Sequence, residues 1–382
     1  MQAQRYIAHL DLDSFFVSVE CLLNPALKGL PLIVGGSRER GVVSACSYEA
    51  RAFGVRSAMP IQKALALCPQ AVVLKITGKE YGRYSRWVTD IIAAKAPMYE
   101  KASIDEFYID LTGMDKYFDP LQWTISLRND IIDATGLPIS FGLSANKLVS
   151  KIATDQAKPN GYLFVPAGNE QSFLAPLTLD KIPGVGDTAI RRLREAGYYT
   201  ISDVQQKTAS EMEAVMGNWG ADLWRRAMGI SNSIVHESRI AKSVSSENTF
   251  MDNISIEADL LKHLAALVEK VAYELRADEK MATCITVKIR YPDFETTSKQ
   301  MMINATMRDD ELLQSASLLF KRLYRKGKPV RLIGVKLSHF TDNIIQSNLF
   351  ENNITKTKLY KAMDDVKNRF GKKSLRNAAS GK

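Results

Sequence analysis

The stretch YIAHLDLDSFF, residues 6–16, contains the pattern from which the fold is predicted. Apolar and polar residues alternate over residues 6–13, as expected of a β-strand with one face in a core. Ser14 is a candidate N-cap for an amphipathic helix that runs to about Leu23. The sequence therefore predicts a strand that carries carboxylates and leads directly into a helix.

The pattern of strands and helices continues up to residue 166. Short strands and small helices make a compact α/β unit up to about residue 75. Beyond it we predict the following elements: a helix over 79–94, a hairpin over 99–111, a helix over 121–134, a strand over 139–143 and a helix over 144–157. The order β, α, β, β, α, β is that of a split ferredoxin-like sheet, so the fold class is α+β with several domains.

Residues 167–230 are predicted to form short helices. Within them IPGVG, residues 182–186, precedes a segment with three arginines at 191–194. This pattern is a helix-hairpin-helix signature, in which the amides at Gly184 and Gly186 can approach a DNA phosphate closely. A plain turn between helices is the alternative, and the arginines favour DNA contact.

The C-terminal part has a second α/β pattern and most of the excess positive charge. Residues 231–241 are a candidate linker, and strands alternate with two helices over 245–340. The whole chain has a net charge of +9, of which residues 1–230 contribute +1 and residues 231–382 contribute +8. The surplus predicts a face that binds nucleic acid, with Arg325, Lys326 and Arg331 as candidates, although a solvated basic surface is the alternative.

Composition excludes several classes of protein. With 382 residues, of which 46% are hydrophobic, the chain has enough apolar material for two to four folded domains and is not a disordered protein. Its four cysteines have no short paired spacing, which argues against a disulfide framework and a zinc site. No apolar run of membrane-spanning length or export signal is present, so a reducing, cytoplasmic location is expected.

Carboxylates are concentrated at two places that the fold should bring together. Asp11 and Asp13 lie two apart on the first strand and should share a face. Asp105 and Glu106 lie at the bend of the predicted hairpin. Oxygen ligands select hard cations, so we predict magnesium or manganese, and two such ions can support an in-line phosphoryl displacement. Singly, each motif could be a helix cap or an exposed pair.

Three further side chains suit a triphosphate. Tyr48 and Arg51 lie on one side of a short helix, and Lys158 precedes a Pro-Asn-Gly turn. Arginine matches phosphate oxygens bidentately, and lysine adds a point charge. Either cation alone could form a surface ion pair instead.

These residues resemble a known family. The chain is similar to the Y-family, or translesion, DNA polymerases, and within them to the bacterial DNA polymerase IV (DinB-type) group. The matching segments lie in the family's order and spacing over residues 1 to about 340: DLDSFF at 11–16, YEARAFGV at 48–55, SIDE at 103–106, GLSANK at 142–147, AKPNG at 157–161 and IPGVG at 182–186.

The resemblance implies roles for single residues. Asp11, Asp105 and Glu106 would be catalytic metal ligands, with the Leu12 carbonyl completing one of two sites. Asp13 would be supportive rather than a ligand. Tyr48, Arg51 and Lys158 would bind the incoming nucleotide, and Phe16 would be the steric gate against a 2′-hydroxyl, whereas Phe15 is expected in the core.

The resemblance also implies a right-hand polymerase architecture. Its parts would be a ferredoxin-like palm (1–10 and 76–166), small fingers (11–75), a helical thumb with the helix-hairpin-helix (167–230), a linker (231–241), an α/β little finger that binds DNA (242–340) and a tail (341–382).

The implied function is template-dependent, low-fidelity translesion synthesis. The protein would be a monomeric, magnesium-dependent nucleotidyltransferase and mutator in DNA repair, without a proofreading exonuclease, and its substrates would be primer–template DNA and dNTP. A catalytically silent DNA- or clamp-binding relative and a nucleotidyl cyclase are the alternatives; the intact acidic and cationic residues argue against the first, and the DNA-binding features argue against the second.

The tail contains one further motif. Gln346, Leu349 and Phe350 resemble the pentapeptide by which bacterial polymerases dock on the sliding clamp, with a polar anchor and two apolar side chains for a pocket. The apolar spacing over residues 358–370 predicts one more helix, whose role the sequence does not assign.

Overall fold

The structure, a computed structural model, describes residues 4–237, 240–342, 353–371 and 374–375. The chain divides into two compact units, residues 1–239 and 240–382, which are described separately below. No helix in these described ranges is both long and apolar enough to cross a membrane.

The first unit alternates strands and helices and then becomes helical. Its first elements are β1 (Ile7–Leu12), α1 (Phe15–Leu23), β2 (Leu32–Gly35), β3 (Val43–Cys46), α2 (Tyr48–Ala52), α3 (Ile61–Leu67), β4 (Val72–Lys75) and α4 (Gly78–Lys95). They are followed by β5 (Tyr99–Lys101), β6 (Glu106–Asp110), α5 (Pro120–Thr135), β7 (Ile139–Ser144), α6 (Lys147–Ala157) and β8 (Tyr162–Phe164). The last five are α7 (Glu170–Leu174), α8 (Asp187–Glu195), α9 (Ile201–Gln205), α10 (Ala209–Met216) and α11 (Gly220–Ala227).

β1 lies at the centre of a five-stranded sheet of order β5-β6-β1-β7-β8. It pairs antiparallel with β6 on one side and with β7 on the other. Leu10 and Leu12 pack in the core with residues of α1, α4 and α5, whereas α6 packs against β1 and β7. Both faces of β1 are therefore covered, and the alternation of the sequence separates an apolar face from a polar face that carries His9 and Asp11.

The predicted capping by Ser14 is wrong. Ser14 has a left-handed backbone conformation with φ 45°, and its side chain makes no capping hydrogen bond. Its buried hydroxyl has no partner in the described part of the chain. The helix α1 nevertheless begins at Phe15, because its apolar side chains Phe15, Val17 and Val19 are buried against the sheet.

Two smaller clusters complete the first unit. β3, β2 and β4 form a three-stranded sheet in that order, whose core includes Ile33, Val43 and Ile61. The helices α7 to α11 pack around a third cluster, to which α6 also contributes. The sequence did not predict β8, which pairs parallel with β7, because three residues are too few to show a period of two.

The segment after α11 runs along the five-stranded sheet. Residues 231–237 form no helix or strand, but Val235 is buried against Ile7 and Tyr108. The backbone amide of His236 donates to Oε2 of Glu100 at 3.0 Å. The N-terminal part of the predicted linker is thus attached to the first unit.

The second unit is a sheet with helices on one face. Its elements are β9 (Ser243–Ile254), α12 (Glu257–Ala277), β10 (Lys280–Arg290), β11 (Thr296–Thr306), α13 (Asp309–Leu323), β12 (Val330–Asp342) and α14 (Asn353–Phe370). The strand order is β11-β10-β12-β9, with all neighbours antiparallel. The sequence did not predict β9 and β11, since these edge strands are largely exposed and lack an apolar alternation.

The predicted tail helix is present as α14, and it contacts the second unit through polar side chains. Arg276 of α12 forms a bidentate ion pair with Asp364, at 2.6 and 3.0 Å, and a second ion pair with Asp309 at 2.6 Å. Lys367 is paired with Glu269 at 2.6 Å. The apolar spacing that predicted the helix does not mark its contact face, because Leu359, Val366 and Phe370 are exposed.

Candidate active site

A cavity of about 150 Å³ opens where β1 ends and α1 begins. Its lining brings together most of the site residues predicted from the sequence. The lining residues are Asp11, Leu12, Ser14, Phe15, Phe16, Ser44, Ala45, Tyr48, Arg51, Ser57, Asp105 and Lys158. They come from β1, α1 and the turn between them, from β3, α2 and the loop after α2, and from the loop before β6 and the turn after α6, so the fold assembles the site from distant parts of the sequence.

The register of the sheet places the acidic residues side by side. Asp11 of β1 lies directly opposite Glu106 of β6, and Asp105 precedes Glu106 in the connecting loop. The backbone amide of Leu12 donates to the carbonyl oxygen of Asp105 at 3.0 Å. The hydroxyl of Ser103 contacts Asp105 Oδ1 at 2.5 Å and accepts the Glu106 amide. The loop that holds Asp105 is therefore fixed to the end of β1.

Lys158 neutralises Asp11. Its Nζ lies 2.7 Å from Asp11 Oδ2 and 3.3 Å from Asp155 Oδ1. Burial raises the pKa of Asp11 to about 7, with the ammonium of Lys158 opposing that shift. Burial alone would lower the pKa of Lys158, but the combined attraction of Asp11 and Asp155 raises it. The deeply placed carboxylate thus needs a cation, and Lys158 supplies one.

Lys151 of α6 and His9 of β1 hold Glu106, and the sequence analysis missed both. Lys151 Nζ lies 2.6 Å from Glu106 Oε1, and His9 Nε2 lies 3.7 Å from Oε2. These contacts, that of His9 first and then that of Lys151, lower the pKa of Glu106. Burial lowers the pKa of His9, whose Nδ1 lies 2.8 Å from the Thr154 hydroxyl.

A signal for Lys151 was present in the sequence. Lys147, Lys151 and Lys158 follow a helical spacing of four and seven residues on α6 and the turn after it. A stripe of cations on a mostly buried helix predicts carboxylate partners, and all three lysines have one: Glu100 and Asp11 are buried and Glu106 is half-buried.

The donor set suits a hard divalent cation. Asp11, Asp105 and Glu106 offer only oxygen ligands, and two of them face each other across neighbouring strands. No group of three His, Cys, Asp or Glu residues in the described ranges is arranged closely enough to surround an ion. Instead the ammonium groups of Lys158 and Lys151 balance the carboxylates. The two ammonium groups therefore lie where these carboxylates would hold a metal ion. The oxygen donors fit a hard divalent cation.

Tyr48 and Arg51 lie on α2 and face the same cavity. The Ser47 hydroxyl accepts the amide of Ala50 at 3.2 Å and so begins this short helix. The Arg51 guanidinium lies over the Tyr48 ring, 4.8 Å from its centroid. Burial, followed by the charge of Asp13, raises the pKa of Tyr48 to about 12, so this hydroxyl stays protonated as a hydrogen-bond donor.

Phe16 and Phe15 have different environments, as predicted. The Phe16 ring stacks on Tyr81 with centroids 4.3 Å apart and planes at 12°. The Tyr81 hydroxyl donates to Glu20 Oε1 at 2.5 Å, which fixes the supporting ring. Phe15 is only 2% exposed and belongs to the core.

The IPGVG segment forms an exposed hairpin before α8. Gly184 has φ +90°, a conformation that favours glycine, and Gly186 immediately precedes the helix. Ile182 and Val185 are buried and anchor the hairpin. The two glycines are exposed, so their backbone is open to a ligand.

The three predicted DNA-contacting residues of the second unit differ in their surroundings. Arg325 forms a bidentate ion pair with Glu295 at 2.6 and 2.9 Å. Arg331 lies over the Phe294 ring, 4.7 Å from its centroid. Lys326 is exposed and has no ion pair with a described residue. The candidate clamp residues Gln346, Leu349 and Phe350 lie outside the described residues.

Comparisons with known proteins give the same family along the whole chain. The impB/mucB/samB family model matches residues 10–155, and the model of that family's C-terminal domain matches residues 241–349. The chain is 36% identical to DNA polymerase IV of Desulfatibacillum aliphaticivorans, over 98% of this chain and 97% of that protein. It is also 36% identical to DNA polymerase IV of Opitutus terrae, over 96% and 94%.

The chain belongs to the Y-family DNA polymerases. Among solved structures it is similar to a chimera of the Y-family polymerases Dbh and Dpo4, with a TM-score of 0.78 and 29% identity over 88% of this chain and 100% of that one. DinB from Sulfolobus solfataricus matches with a TM-score of 0.61 and 29% identity, over 87% and 98%. Like these Y-family proteins, the chain combines mixed α+β sheets with helical parts.

Proposed function

We propose that the cavity at the end of β1 is the active site of a template-dependent, translesion DNA polymerase. The observation that carries this proposal is that one cavity is lined by Asp11 and Asp105 and also by Tyr48, Arg51 and Lys158. Carboxylates hold divalent cations, and the other three side chains match the oxygens of a triphosphate. The substrates are a primer–template and deoxynucleoside triphosphates.

Different residues would hold the metal ions and the nucleotide during nucleotidyl transfer. Asp11, Asp105, Glu106 and the Leu12 carbonyl would hold two magnesium ions, for which manganese could substitute. When bound, such ions stabilise charge on the attacking and leaving oxygens. The primer 3′-hydroxyl would give up its proton to water, its oxygen would form the new bond to the α-phosphorus, and the bond from that phosphorus to the pyrophosphate oxygen would break.

The cationic side chains act on the leaving group. Lys158 and Arg51 bind the β- and γ-phosphates and balance the charge that develops as pyrophosphate departs. The Tyr48 hydroxyl donates to the same group, and the Phe16 ring lies against the sugar. Because these groups are held by packing before the substrate arrives, positioning contributes much of the rate.

The remaining parts of the chain would serve the DNA. The five-stranded sheet is the palm, the three-stranded sheet with α2 and α3 belongs to the fingers, and the helices of residues 167–230 are the thumb, whose Gly184 and Gly186 amides contact a phosphate. The second unit is the little finger, and its sheet and basic residues follow the duplex.

Primer extension with an undamaged and a lesion-containing template tests the function. We expect template-directed addition of dNTPs on both, loss of all addition after chelation of divalent cations, and recovery when magnesium is restored. Binding of the primer–template without any extension under these conditions would instead identify a catalytically silent relative and contradict the proposal.

Salt dependence of DNA binding tests the basic face of the second unit. We expect Lys326→Ala to weaken primer–template binding several-fold at low salt and to reduce the slope of log K against log salt. The reason is that an exposed ammonium that binds a phosphate releases counterions condensed on the DNA. Arg325→Ala is the matched comparison and should have a smaller effect, since Glu295 already neutralises that charge. Fluorescence anisotropy at several salt concentrations measures both; equal slopes for the two variants would contradict the prediction.

The tail motif is tested by its removal. Deletion of residues 346–350 should abolish the stimulation of synthesis by the sliding clamp and spare synthesis without the clamp, because the pocket contacts of Leu349 and Phe350 would be lost. Primer extension with and without loaded clamp measures this difference. Equal loss of both activities would show that the segment serves something other than clamp binding.

A further inference from the structure

Asp13 carries a buried carboxylate that neither holds a metal nor contacts the nucleotide in the proposed active site. Its side chain is 1% exposed, and it does not line the cavity. It lies one residue beyond the end of β1, between the two halves of the proposed triphosphate site. A buried carboxylate is costly unless several donors satisfy it, so the donors around Asp13 indicate what it holds.

Three hydrogen-bond donors from three parts of the chain converge on this carboxylate. The backbone amide of Asn160 and the hydroxyl of Ser140 donate to Oδ2, at 2.7 and 2.8 Å. The hydroxyl of Tyr48 donates to Oδ1 at 3.3 Å. One oxygen therefore holds the turn that follows Lys158, and the other holds a residue of α2.

Asp13 itself is fixed, so it can serve as a reference point. Its backbone amide donates to the carbonyl of Pro138 at 2.9 Å, and its carbonyl accepts the Ser18 hydroxyl at 2.7 Å. The turn has additional support, because Arg128 Nη2 donates to the Asn160 carbonyl oxygen at 2.8 Å. Asn160 has φ 51°, so the turn needs such contacts to keep its shape.

We propose that Asp13 is a positioning residue for the triphosphate of the incoming nucleotide. Its single carboxylate sets the Tyr48 side chain and the Lys158 turn at a fixed separation, so that Lys158 and Tyr48 meet the same phosphates with no movement larger than a turn of the Tyr48 O–H from Asp13 to a phosphate oxygen. This inference rests on the proposed polymerase function, and it goes beyond it by assigning the geometry of the triphosphate site to a residue that touches neither metal nor substrate.

The inference predicts a specific kinetic change for Asp13→Ala. The KM for dNTP should rise about tenfold or more, because hydrogen bonds to a charged group are lost from both sides of the site. The rate at saturating dNTP and the Kd for primer–template should change far less, since the binding of the ground state and that of the transition state are weakened alike. Steady-state primer extension and anisotropy measure these quantities.

Asp13→Asn is the conservative variant and also covers the case in which the alanine variant does not fold. Its amide oxygen can still accept from Asn160 and Ser140, and its amide nitrogen can donate to the Tyr48 oxygen. We expect it to recover most of the dNTP affinity. Equal loss in both variants would overturn the proposal, because charge rather than hydrogen bonding would then be what the site requires.

Glu100→Gln is the matched control. Glu100 is equally buried in the same unit, but it bonds to Lys147 and to His236, away from the cavity. This variant should alter thermal stability without altering the KM for dNTP. If Glu100→Gln raised the KM as much as Asp13→Ala, the effect would be a general one of substituting a buried carboxylate, and the proposal would be wrong. An unchanged KM in a folded Asp13→Ala variant would also contradict it. If the wild-type chain extends no primer, the polymerase function fails rather than this inference.

Discussion

Replacing Asp105 by asparagine should reduce the rate of nucleotide addition by about 10³-fold or more, which corresponds to roughly 4 kcal/mol of lost transition-state stabilisation. Asparagine keeps the shape of the side chain and its acceptor for Ser103, but it removes the charge that would hold a cation. Asp105 is partly exposed and lies in a loop that backbone hydrogen bonds fix to β1, so the substitution should leave the fold and the affinity for primer–template almost unchanged.

Asp110→Asn provides the control for this prediction. Asp110 lies on the same strand β6 as Glu106, at the end away from the cavity, where its carboxylate accepts the Thr112 amide at 2.9 Å. That variant should retain nearly full activity. Single-turnover primer extension with saturating dNTP compares the two, and an Asp105→Asn enzyme within tenfold of wild type would exclude Asp105 from the chemistry.

Replacing Phe16 by alanine should reduce the preference for dNTP over NTP by about 10²-fold or more, while synthesis with dNTP persists. In the proposed site, this preference depends on the Phe16 ring staying in place. Phe16 is stacked on Tyr81, whose hydroxyl is bound to Glu20, so the wild-type ring keeps its place when a 2′-hydroxyl approaches. Alanine leaves space for that hydroxyl.

A core residue away from the cavity separates this effect from a loss of packing. Ile131→Val removes one methylene group from the core, so it should lower the thermal midpoint but leave the choice between dNTP and NTP unchanged. Measuring kcat/KM for both sugars in both variants decides the matter. If Phe16→Ala kept the wild-type preference, some other side chain would have to contact the sugar.

Much of the fold followed from the sequence wherever a segment had a clear period. The buried β1 and the helices α4, α5 and α6 were predicted with boundaries close to those observed, whereas the tail helix begins at Asn353 rather than at the predicted Lys358. The edge strands β9 and β11 were not predicted, because their side chains are mostly in solvent and need no alternation. Ser14 shows the opposite error: a good capping residue was present, but packing of α1 determined the start of the helix.

The candidate site was predictable only in part, for a related reason. Asp11, Tyr48 and Lys158 belong to motifs whose residue types already suggest a ligand. Lys151 and His9 support Glu106 through contacts that depend on how α6 packs over β1. That packing could not be predicted from the sequence alone. The spacing of the lysines on α6 was the one local sign of it.

The contact of α14 with the rest of the second unit has a consequence for the stability of this domain. The described side chains of this helix contribute nothing to the apolar cluster that holds the four-stranded sheet to α12 and α13. They contribute ion-paired groups such as Asp364 and Lys367, and their partners on α12 are largely buried by this contact. The described apolar core is therefore formed without α14, so loss of the helix should leave that core folded but cost the stability that these buried ion pairs contribute.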